Sequence, residues 1–231
     1  MIPKKIHQIW ISKDPVPSFF QGYMRKLRDM HPAWEYRLWD LQDISPLLPR
    51  VALDAYAAGM HPALVSDIGR FAVLKEYGGI YLDADCEPVK PLDPLIGGDA
   101  AFFCGSVCSG NAGLIEMAVI GSAPGGKIVE ALLEGLTKSL RTAGIKPFLG
   151  IREFNRLIYQ TMDDSVRIYG CNYFHGWDWT NDMPLSPTPE EAYIIHHFAR
   201  SWMTPGPQRS LKTPSPQPRQ PVKKPIFSNR V

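Results

Sequence analysis

Three observations predict an α/β domain with a mostly parallel central sheet. Short apolar segments of strand length alternate along the chain with longer segments whose apolar residues recur at helical spacing. One helix-like segment ends at Gly78-Gly79 and is followed at once by a short apolar segment. The chain has 231 residues, of which 45% are hydrophobic, so it is long enough to bury one core of its own.

The first part of the chain alternates between strand and helix patterns. Segment 5–11 is predicted to be a strand because it is rich in isoleucine. Segment 18–30 follows two prolines and places its apolar residues on one stripe, so a helix is predicted. Segment 35–39 is predicted to be the second strand.

Two predicted helices and a strand come next. Segment 47–60 is predicted to be helical, and segment 62–77 is predicted to be a helix with Pro62 in its first turn. Gly78-Gly79 ends this helix because glycine readily adopts positive φ. Segment 80–82 is then a short buried strand.

The rest of the predicted domain, residues 1–203, repeats the alternation. Its remaining elements are strands at 100–104, 166–169 and 192–196 and helices at 124–140 and 150–162.

Residues 204–231 have a different composition from the domain. They contain seven prolines, six basic residues and no acidic residue, so a disordered C-terminal tail is predicted. Without the tail the net charge is about −4, which gives no reason to expect nucleic-acid binding. The tail is interpreted either as a solubilising extension or as a segment attracted to an anionic membrane surface.

The cysteines and the N-terminus indicate the compartment. Cys86, Cys104, Cys108 and Cys171 form no C-x-x-C pair, so reduced and mostly buried thiols are expected. The N-terminus has no signal-peptide pattern, and no apolar run is long enough to span a membrane. We therefore expect a cytoplasmic protein, with peripheral contact to the inner face of a membrane as an option.

The most informative motif is the pair of carboxylates that follows the predicted strand 80–82. In an extended chain Asp83 and Asp85 project to the same side. Two carboxylates at the open end of a buried strand suit a hard divalent cation that shares its other positions with a phosphate. An EF-hand is excluded, because Pro88 and Pro94 stand where that loop needs glycine and glutamate.

The helix before this motif carries a second pair of charged residues. Asp67 and Arg70 are three residues apart and therefore share one helix face. An acid and a base on a helix, a Gly-Gly stop and a strand that delivers paired carboxylates together predict a metal-dependent enzyme acting on a phosphorylated donor. A solvated helical salt bridge is the alternative interpretation of the Asp67–Arg70 pair.

Three segments resemble one family. Ser66-Asp67-Ile68-Gly69-Arg70 with the later run Tyr77–Asp85 resembles the D-x-D sugar-transferase family (glycosyltransferase family 32-like). That family includes initiating α-1,6-mannosyltransferases and capsular polysaccharide transferases and, more distantly, the glucosyltransferase domain of large clostridial toxins. The N-terminal segment 2–11 resembles the family's opening strand, and residues 196–202 resemble its closing histidine-to-tryptophan segment.

The resemblance implies a GT-A fold of Rossmann type, a nucleoside diphosphate sugar donor, a Mn²⁺ or Mg²⁺ ion and retention of anomeric configuration. It implies that Asp85 ligates the metal most directly, while Asp83 faces the ribose or sugar and the metal's waters. Asp67 would accept hydrogen bonds from sugar hydroxyls, and Arg70 would reach the sugar or the diphosphate. His196 or His197 would be the late metal ligand, with the choice left open.

The resemblance also implies a wider donor-binding set. Trp10 would border the nucleobase, Tyr81 lies within the matching motif, and Asn111 would match a donor-contacting asparagine. Ser201 and Trp202 would form a lid over the diphosphate. For the two tryptophans and the histidine pair, ordinary core packing is the alternative interpretation. The aromatic segment 173–179 is interpreted either as an acceptor subsite or as a loop that its own rings hold in place.

The sequence thus predicts a retaining hexosyltransferase that acts on a glycan or lipid-linked glycan acceptor, with bacterial surface polysaccharide synthesis as the expected setting. A toxin-like protein glycosyltransferase and an inactive sugar-nucleotide binding module are the alternatives. A metal-dependent phosphohydrolase is disfavoured because it needs more ligands than the chain offers.

Overall fold

The structure is a computed structural model of the chain. It describes residues 1–98, 100–106, 114–143, 150–174, 177–178, 183–184 and 190–199. Asn111, Ser201, Trp202 and the predicted tail 204–231 lie outside these residues, as does part of the aromatic segment 173–179. The predictions for them therefore stay predictions.

The described residues form ten strands and seven α-helices. The strands are β1 (Lys5–Ile9), β2 (Glu35–Trp39), β3 (Gly79–Leu82), β4 (Cys86–Pro88), β5 (Phe102–Ser106), β6 (Ile115–Ser122), β7 (Val166–Tyr169), β8 (Trp177–Asp178), β9 (Met183–Pro184) and β10 (Ile194–His196). The helices are α1 (Ser18–Met30), α2 (Leu41–Ile44), α3 (Arg50–Ala57), α4 (Pro62–Tyr77), α5 (Asp93–Ile96), α6 (Lys127–Ala143) and α7 (Gly150–Thr161), with a 3₁₀ turn at Ser45–Leu47.

The central sheet has six strands in the order β2-β1-β3-β6-β5-β7. Only β6 runs antiparallel to its neighbours, so the predicted mostly parallel sheet is confirmed. Away from this sheet, β10 pairs antiparallel with β4, and β8 pairs with β9. The β4–β10 pair brings the C-terminal end of the described chain next to the segment that follows β3.

Several predicted elements have the observed bounds, and others differ. Helices 18–30 and 62–77 and strands 35–39 and 166–169 are confirmed as predicted. The predicted helix 47–60 is confirmed only over α3, Arg50–Ala57. Its predicted start is wrong because Pro49 takes an extended ψ of 136° as the N-cap, since proline disrupts a helix interior. The first strand ends at Ile9 and not at residue 11, and β6 was not predicted at all.

The sheet separates two apolar layers, as alternating side chains require. One layer packs α3, α4, α6 and α7 around Phe71, Tyr81 and Phe154. The other contains Leu82 and Phe103 and packs against α1. In the described part of the chain, no helix combines the length and hydrophobicity that a bilayer crossing requires.

Gly78 and Gly79 end α4 and start β3 with φ values of 60° and 103°. A Cβ on Gly79 would lie 2.6 Å from the carbonyl oxygen of Lys5, and one on Gly78 would lie 2.6 Å from the Pro124 ring. Both positions therefore need glycine for the backbone angle and for close approach. The pair allows β3 to enter the sheet directly beside β1.

The cysteines only partly follow the expectation from sequence. Cys86 and Cys104 are free and buried, as expected. Cys171 is disulfide-bonded, so the expectation of a reduced thiol is wrong at that position.

Candidate active site

The carboxylates of the D-x-D motif meet because of a turn. Strand β3 ends at Leu82, and the Cys86 N–H then donates to the Asp83 carbonyl at 3.1 Å. The sequence predicted that an extended strand would place both carboxylates on one side. The two carboxylates are close together, but a turn brings them there and the extended strand does not. The chain leaves the sheet at Asp83 and turns before β4, and this turn holds Asp83 and Asp85 around Ala84.

His196 joins these two carboxylates from 111 residues further along the chain. It is paired with Cys86 in the β4–β10 ladder, one residue beyond Asp85. Its Nε2 lies 3.3 Å from Asp85 Oδ1 and 4.0 Å from Asp83 Oδ2. Asp83, Asp85 and His196 each offer one ligand atom, and these atoms all lie within 4.8 Å of one another. Two carboxylates and one imidazole form a donor set that fits a divalent cation.

The chain that follows His196 crosses over Asp85. The Ala199 N–H donates to Asp85 Oδ2 at 2.7 Å, and the His197 N–H donates to the Asp85 carbonyl at 3.2 Å. Burial alone would raise the pKa of Asp85, but His196 and the Ala199 N–H outweigh it and lower this pKa. Asp85 is therefore held as a carboxylate whose Oδ1 faces the histidine.

Asp83 is oriented by its neighbours on the strand and on α4. The Tyr81 hydroxyl donates to Asp83 Oδ1 at 2.7 Å, and Arg70 Nη1 lies 3.4 Å from the same oxygen. Gln8 on β1 donates from Nε2 to the Asp83 carbonyl at 3.1 Å. Burial raises the pKa of Asp83, although the positive charges of Arg70 and His196 oppose that shift. Tyr81 is itself buried, so its hydroxyl holds Asp83 Oδ1 from the core side of the site.

Arg70 is a buried cation that joins α4 to β6. Its guanidinium donates to Asp67 Oδ1 and to the Met117 carbonyl, both at 2.6 Å, and lies over the Tyr81 ring at 4.8 Å. The Arg70 side chain is 6% exposed, whereas that of Asp67 is 26% exposed. Burial raises the pKa of Asp67 to about 6, even though Arg70 favours its charged form. Asp67 is thus the member of the pair with more access to solvent.

Glu116 belongs to the site and was not identified from the sequence. It is buried on β6, and its Oε1 is hydrogen-bonded to His196 Nδ1. Burial opposes a charge on His196, but Glu116 and Asp85 raise its pKa well above the ordinary value. One signal could have found Glu116: it is the sole charged residue in the otherwise apolar run 115–120.

The other predicted residues are placed near the cluster but make different contacts. His197 stacks on Tyr23, with ring centroids 5.0 Å apart, and its Nε2 lies 3.1 Å from Glu87 Oε2. Trp10 is half-buried against the cluster that contains Ala84, and its Nε1 donates to the Asp14 carbonyl at 2.9 Å. Of the two histidines, therefore, His196 faces the carboxylates of Asp83 and Asp85, whereas His197 contacts Glu87.

Residues 17–102 match a family described as the glycosyltransferase sugar-binding region containing the DXD motif. The matched stretch begins just before α1 and includes α4, β3 and the turn that carries Asp83 and Asp85. It therefore contains two of the three clustered residues.

Two curated relatives show the extent of the similarity. Inositol phosphoceramide mannosyltransferase 3 of Schizosaccharomyces pombe is 34% identical over 101 residues, which are 41% of this chain and 27% of that protein. An uncharacterized glycosyltransferase of Acanthamoeba polyphaga mimivirus is 26% identical over 216 residues, which are 87% of this chain and 84% of that protein. The chain thus spans about a quarter of the fungal relative and most of the viral one.

Two solved structures share the fold. The PaToxG glycosyltransferase superposes with a TM-score of 0.57 at 19% identity, over 70% of each chain. A galactosyltransferase in complex with donor and acceptor sugar analogues gives a TM-score of 0.50 at 12% identity, over 86% of this chain and 88% of that one. At these identities the likeness concerns the fold, which is that of the GT-A glycosyltransferases.

Proposed function

We propose that this chain, whose residues 17–102 match the DXD-containing glycosyltransferase family, transfers a hexose from a nucleoside diphosphate sugar in a metal-dependent reaction. The observation that carries this proposal is the convergence of Asp83, Asp85 and His196 at the C-terminal end of β3. Open α/β sheets bind their ligands at this end of the strands.

Asp83, Asp85 and His196 would hold the divalent ion, Mn²⁺ or Mg²⁺. When bound, such an ion supplies Lewis-acid stabilisation of the charge that develops on the leaving diphosphate. The three side chains occupy only part of a coordination sphere, which leaves positions for phosphate oxygens.

The residues around this centre would orient the donor. Asp67, the more exposed partner of Arg70, is available to accept hydrogen bonds from sugar hydroxyls. Arg70 is largely engaged by Asp67 and the Met117 carbonyl. Its proposed main role is therefore to hold Asp67 and Asp83 in position, with direct contact to the diphosphate as a secondary role. Trp10, packed against Ala84, would border the nucleobase.

The names of the fungal relatives suggest mannose as the first sugar to test. The acceptor is proposed to be a glycan or a lipid-linked glycan. Bacterial surface polysaccharide synthesis, in the cytoplasm or at the inner face of a membrane, remains the proposed setting. Because the chain spans only about a quarter of the fungal relative, acceptor specificity is not transferred from it.

We further propose that the reaction retains anomeric configuration by a front-face route, in which the leaving phosphate takes the acceptor's proton. In that route no side chain of this protein forms a bond to the sugar. Isolation of a covalent glycosyl adduct on Asp67 or another carboxylate would rule it out.

The two alternatives have less support. An inactive binding module would be favoured by loss of a metal-binding side chain, but Asp83, Asp85 and His196 are all present and clustered. A toxin-like action on a protein acceptor rests on the more distant resemblance of residues 66–85 to the glucosyltransferase domain of large clostridial toxins, which says nothing about the acceptor.

The proposal is tested by donor hydrolysis. Purified protein is incubated with Mn²⁺ and a panel of UDP- and GDP-sugars that includes GDP-mannose, and release of the free sugar is followed. We expect hydrolysis of one donor that is abolished by a chelator and by Asp85→Ala but kept in Asp93→Ala, which removes an exposed carboxylate paired with Lys4. If no donor is hydrolysed and calorimetry detects no metal-dependent nucleotide binding, the proposal is wrong.

A further inference from the structure

Glu116 and His196 form a buried pair at the edge of the proposed metal centre. The Glu116 side chain is 7% exposed and that of His196 is 9% exposed. Glu116 Oε1 contacts Nδ1, whereas the opposite ring nitrogen, Nε2, faces Asp85 and Asp83. The carboxylate and the ligand cluster therefore lie on opposite sides of one imidazole ring.

This arrangement determines which nitrogen of His196 is available. A carboxylate accepts hydrogen bonds, so a Glu116–Nδ1 contact requires a proton on Nδ1. A metal ion takes the lone pair of the other nitrogen, and a partner that fixes the Nδ1 proton also fixes the orientation of the ring. When a cation binds, the proton that His196 gives up is therefore the one on Nε2, and Glu116 favours the tautomer and ring orientation in which this nitrogen holds the ion.

Two features of the fold determine the position of Glu116. The pairing between β5 and β6 changes register, because Cys104 is opposite Ile120 whereas the next residue, Gly105, is opposite Glu116. Such irregularities redirect side chains near functional sites. The residues of β6 that this irregularity frees from β5 contact the site instead: the Met117 carbonyl accepts from Arg70 and the Ala118 carbonyl accepts from the Asp83 N–H at 2.9 Å.

The second feature is a clamp from α7 on the residue before Glu116. Asn155 is buried and makes two hydrogen bonds to the backbone of Ile115: its Nδ2 donates to the carbonyl at 2.8 Å, and its Oδ1 accepts from the N–H at 2.7 Å. A side-chain amide thereby takes the place of a neighbouring strand. The start of β6, and with it Glu116, is thereby fixed to α7.

We propose that Glu116 is a positioning residue that orients His196 for metal binding without being a ligand itself. This inference rests on the metal centre of the proposed function. It predicts that removal of the carboxylate weakens metal binding while the other two ligands stay in place. Partners of this kind typically contribute 10- to 100-fold in metal affinity.

The test is Mn²⁺ binding by isothermal titration calorimetry in the absence of any donor. We expect Glu116→Ala to weaken Mn²⁺ binding about 10- to 100-fold. Glu116→Gln keeps an acceptor oxygen in a side chain of the same shape, so we expect a smaller loss. Glu130→Ala serves as the matched control, because Glu130 is an exposed partner of Lys75, and it should bind Mn²⁺ like the unmodified protein.

A second measurement separates orientation of the ring from general loosening of the fold. Pulsed electron paramagnetic resonance of the Mn²⁺-saturated protein detects coupling to a directly bound ¹⁴N nucleus. We expect this coupling in the unmodified protein, its absence in His196→Asn and its loss or strong reduction in Glu116→Ala. A variant that was only less stable would keep the nitrogen coupling at saturation.

The outcomes distinguish this inference from the proposed function. If His196→Asn loses Mn²⁺ affinity and nitrogen coupling while both Glu116 variants keep them, Glu116 has no positioning role and the metal centre stands. If the unmodified protein binds Mn²⁺ without nitrogen coupling, His196 is not a ligand and the inference is wrong. If it binds no Mn²⁺ at all, the metal centre and the inference both fail.

Discussion

Arg70 donates from Nη1 to the carbonyl oxygen of Met117 at 2.6 Å and thereby joins helix α4 to strand β6 across the floor of the site. The same guanidinium neutralises Asp67 and lies 3.4 Å from Asp83 Oδ1. One buried cation therefore holds two carboxylates and the strand that carries Glu116. This relationship makes Arg70 the residue whose loss should disturb both stability and activity.

We expect Arg70→Gln to destabilise the protein by roughly 1–3 kcal/mol, because the partly buried carboxylates of Asp67 and Asp83 lose their cation and the Met117 carbonyl loses its donor. Arg70→Lys keeps the charge but not the fork that contacts Asp67 and the Met117 carbonyl together, so a smaller loss is expected. Urea unfolding measures both effects. Arg50→Gln, which breaks an exposed pair with Asp54, is the control and should change stability by less than about 1 kcal/mol. An Arg70→Gln protein as stable as the control would contradict the structural role.

Donor binding should depend on pH through Asp67. Its pKa is raised to about 6 by burial, so below that pH the side chain is increasingly protonated and is a poorer acceptor for sugar hydroxyls. We expect the KM for the donor to rise as the pH falls from 7.5 to 5.5. In Asp67→Asn, which has no carboxylate at this position, the KM should be high at every pH between 7.5 and 5.5 and should change little with pH. Parallel pH profiles for the two proteins would exclude Asp67 as the origin of the dependence.

His7 should make the fold sensitive to acid. It is buried in β1, where its Nε2 donates to the Gly78 carbonyl at 2.8 Å and its Nδ1 accepts from Trp39 Nε1 at 3.2 Å. Burial lowers its pKa from 6.5 to about 4. Between these values the unfolded chain binds a proton that the folded chain does not, so stability is full above pH 6.5 and falls toward pH 4.

Between pH 6.5 and pH 4, His7 should lower the free energy of unfolding by roughly 3 kcal/mol. His7→Gln can accept from Trp39 and donate to Gly78 without titrating, so its stability should fall less between pH 7 and pH 4.5 in urea unfolding experiments. His61→Gln changes an exposed histidine that caps α4 and leaves His7 in place, so its stability should still fall toward acid pH as that of the unmodified protein does. Equal acid sensitivity in all three proteins would show that the effect comes from other groups.

Glycine at position 79 should be irreplaceable. Its φ of 103° and the 2.6 Å distance that would separate an added Cβ from the Lys5 carbonyl oxygen both oppose a side chain. We expect Gly79→Ala to cost at least about 1–3 kcal/mol and to reduce activity, since β3 carries the site. Gly22→Ala is the matched control: it lies in α1 with no atom within 4 Å of the added carbon, and should be neutral or stabilising by up to about 1 kcal/mol. Similar thermal unfolding midpoints for the two variants would contradict this prediction.

The sequence predicts well those parts of the molecule that depend on local signals. Helix α4 was predicted with its observed bounds because Pro62 starts it and Gly78-Gly79 ends it. Asp83 and Asp85 were predicted as a site from their place after an apolar strand, and the structure places both beside His196. Local signals failed where two prolines interrupt a helical pattern, as they do before α3.

Features that depend on pairing between distant segments were not predictable in the same way. The choice of His196 over His197 follows from the register of β10 on β4, which no local pattern encodes. Glu116 was missed because its contact with His196 arises only when β6 lies between β3 and β5 and β10 pairs with β4. The available signal was that Glu116 is the one acidic residue in the apolar run 115–120. This signal indicates a buried charge, but it does not indicate which residue pairs with that charge.

The most direct test of the proposed metal centre is anomalous diffraction from crystals grown with Mn²⁺ and a nucleoside diphosphate. We predict one strong anomalous peak within bonding distance of Asp83, Asp85 and His196 Nε2, with phosphate oxygens completing its coordination. Glu116 should remain hydrogen-bonded to Nδ1 of the same histidine. A peak bound to other residues, or a nucleotide bound with no metal beside these three, would contradict the proposed metal-dependent transfer.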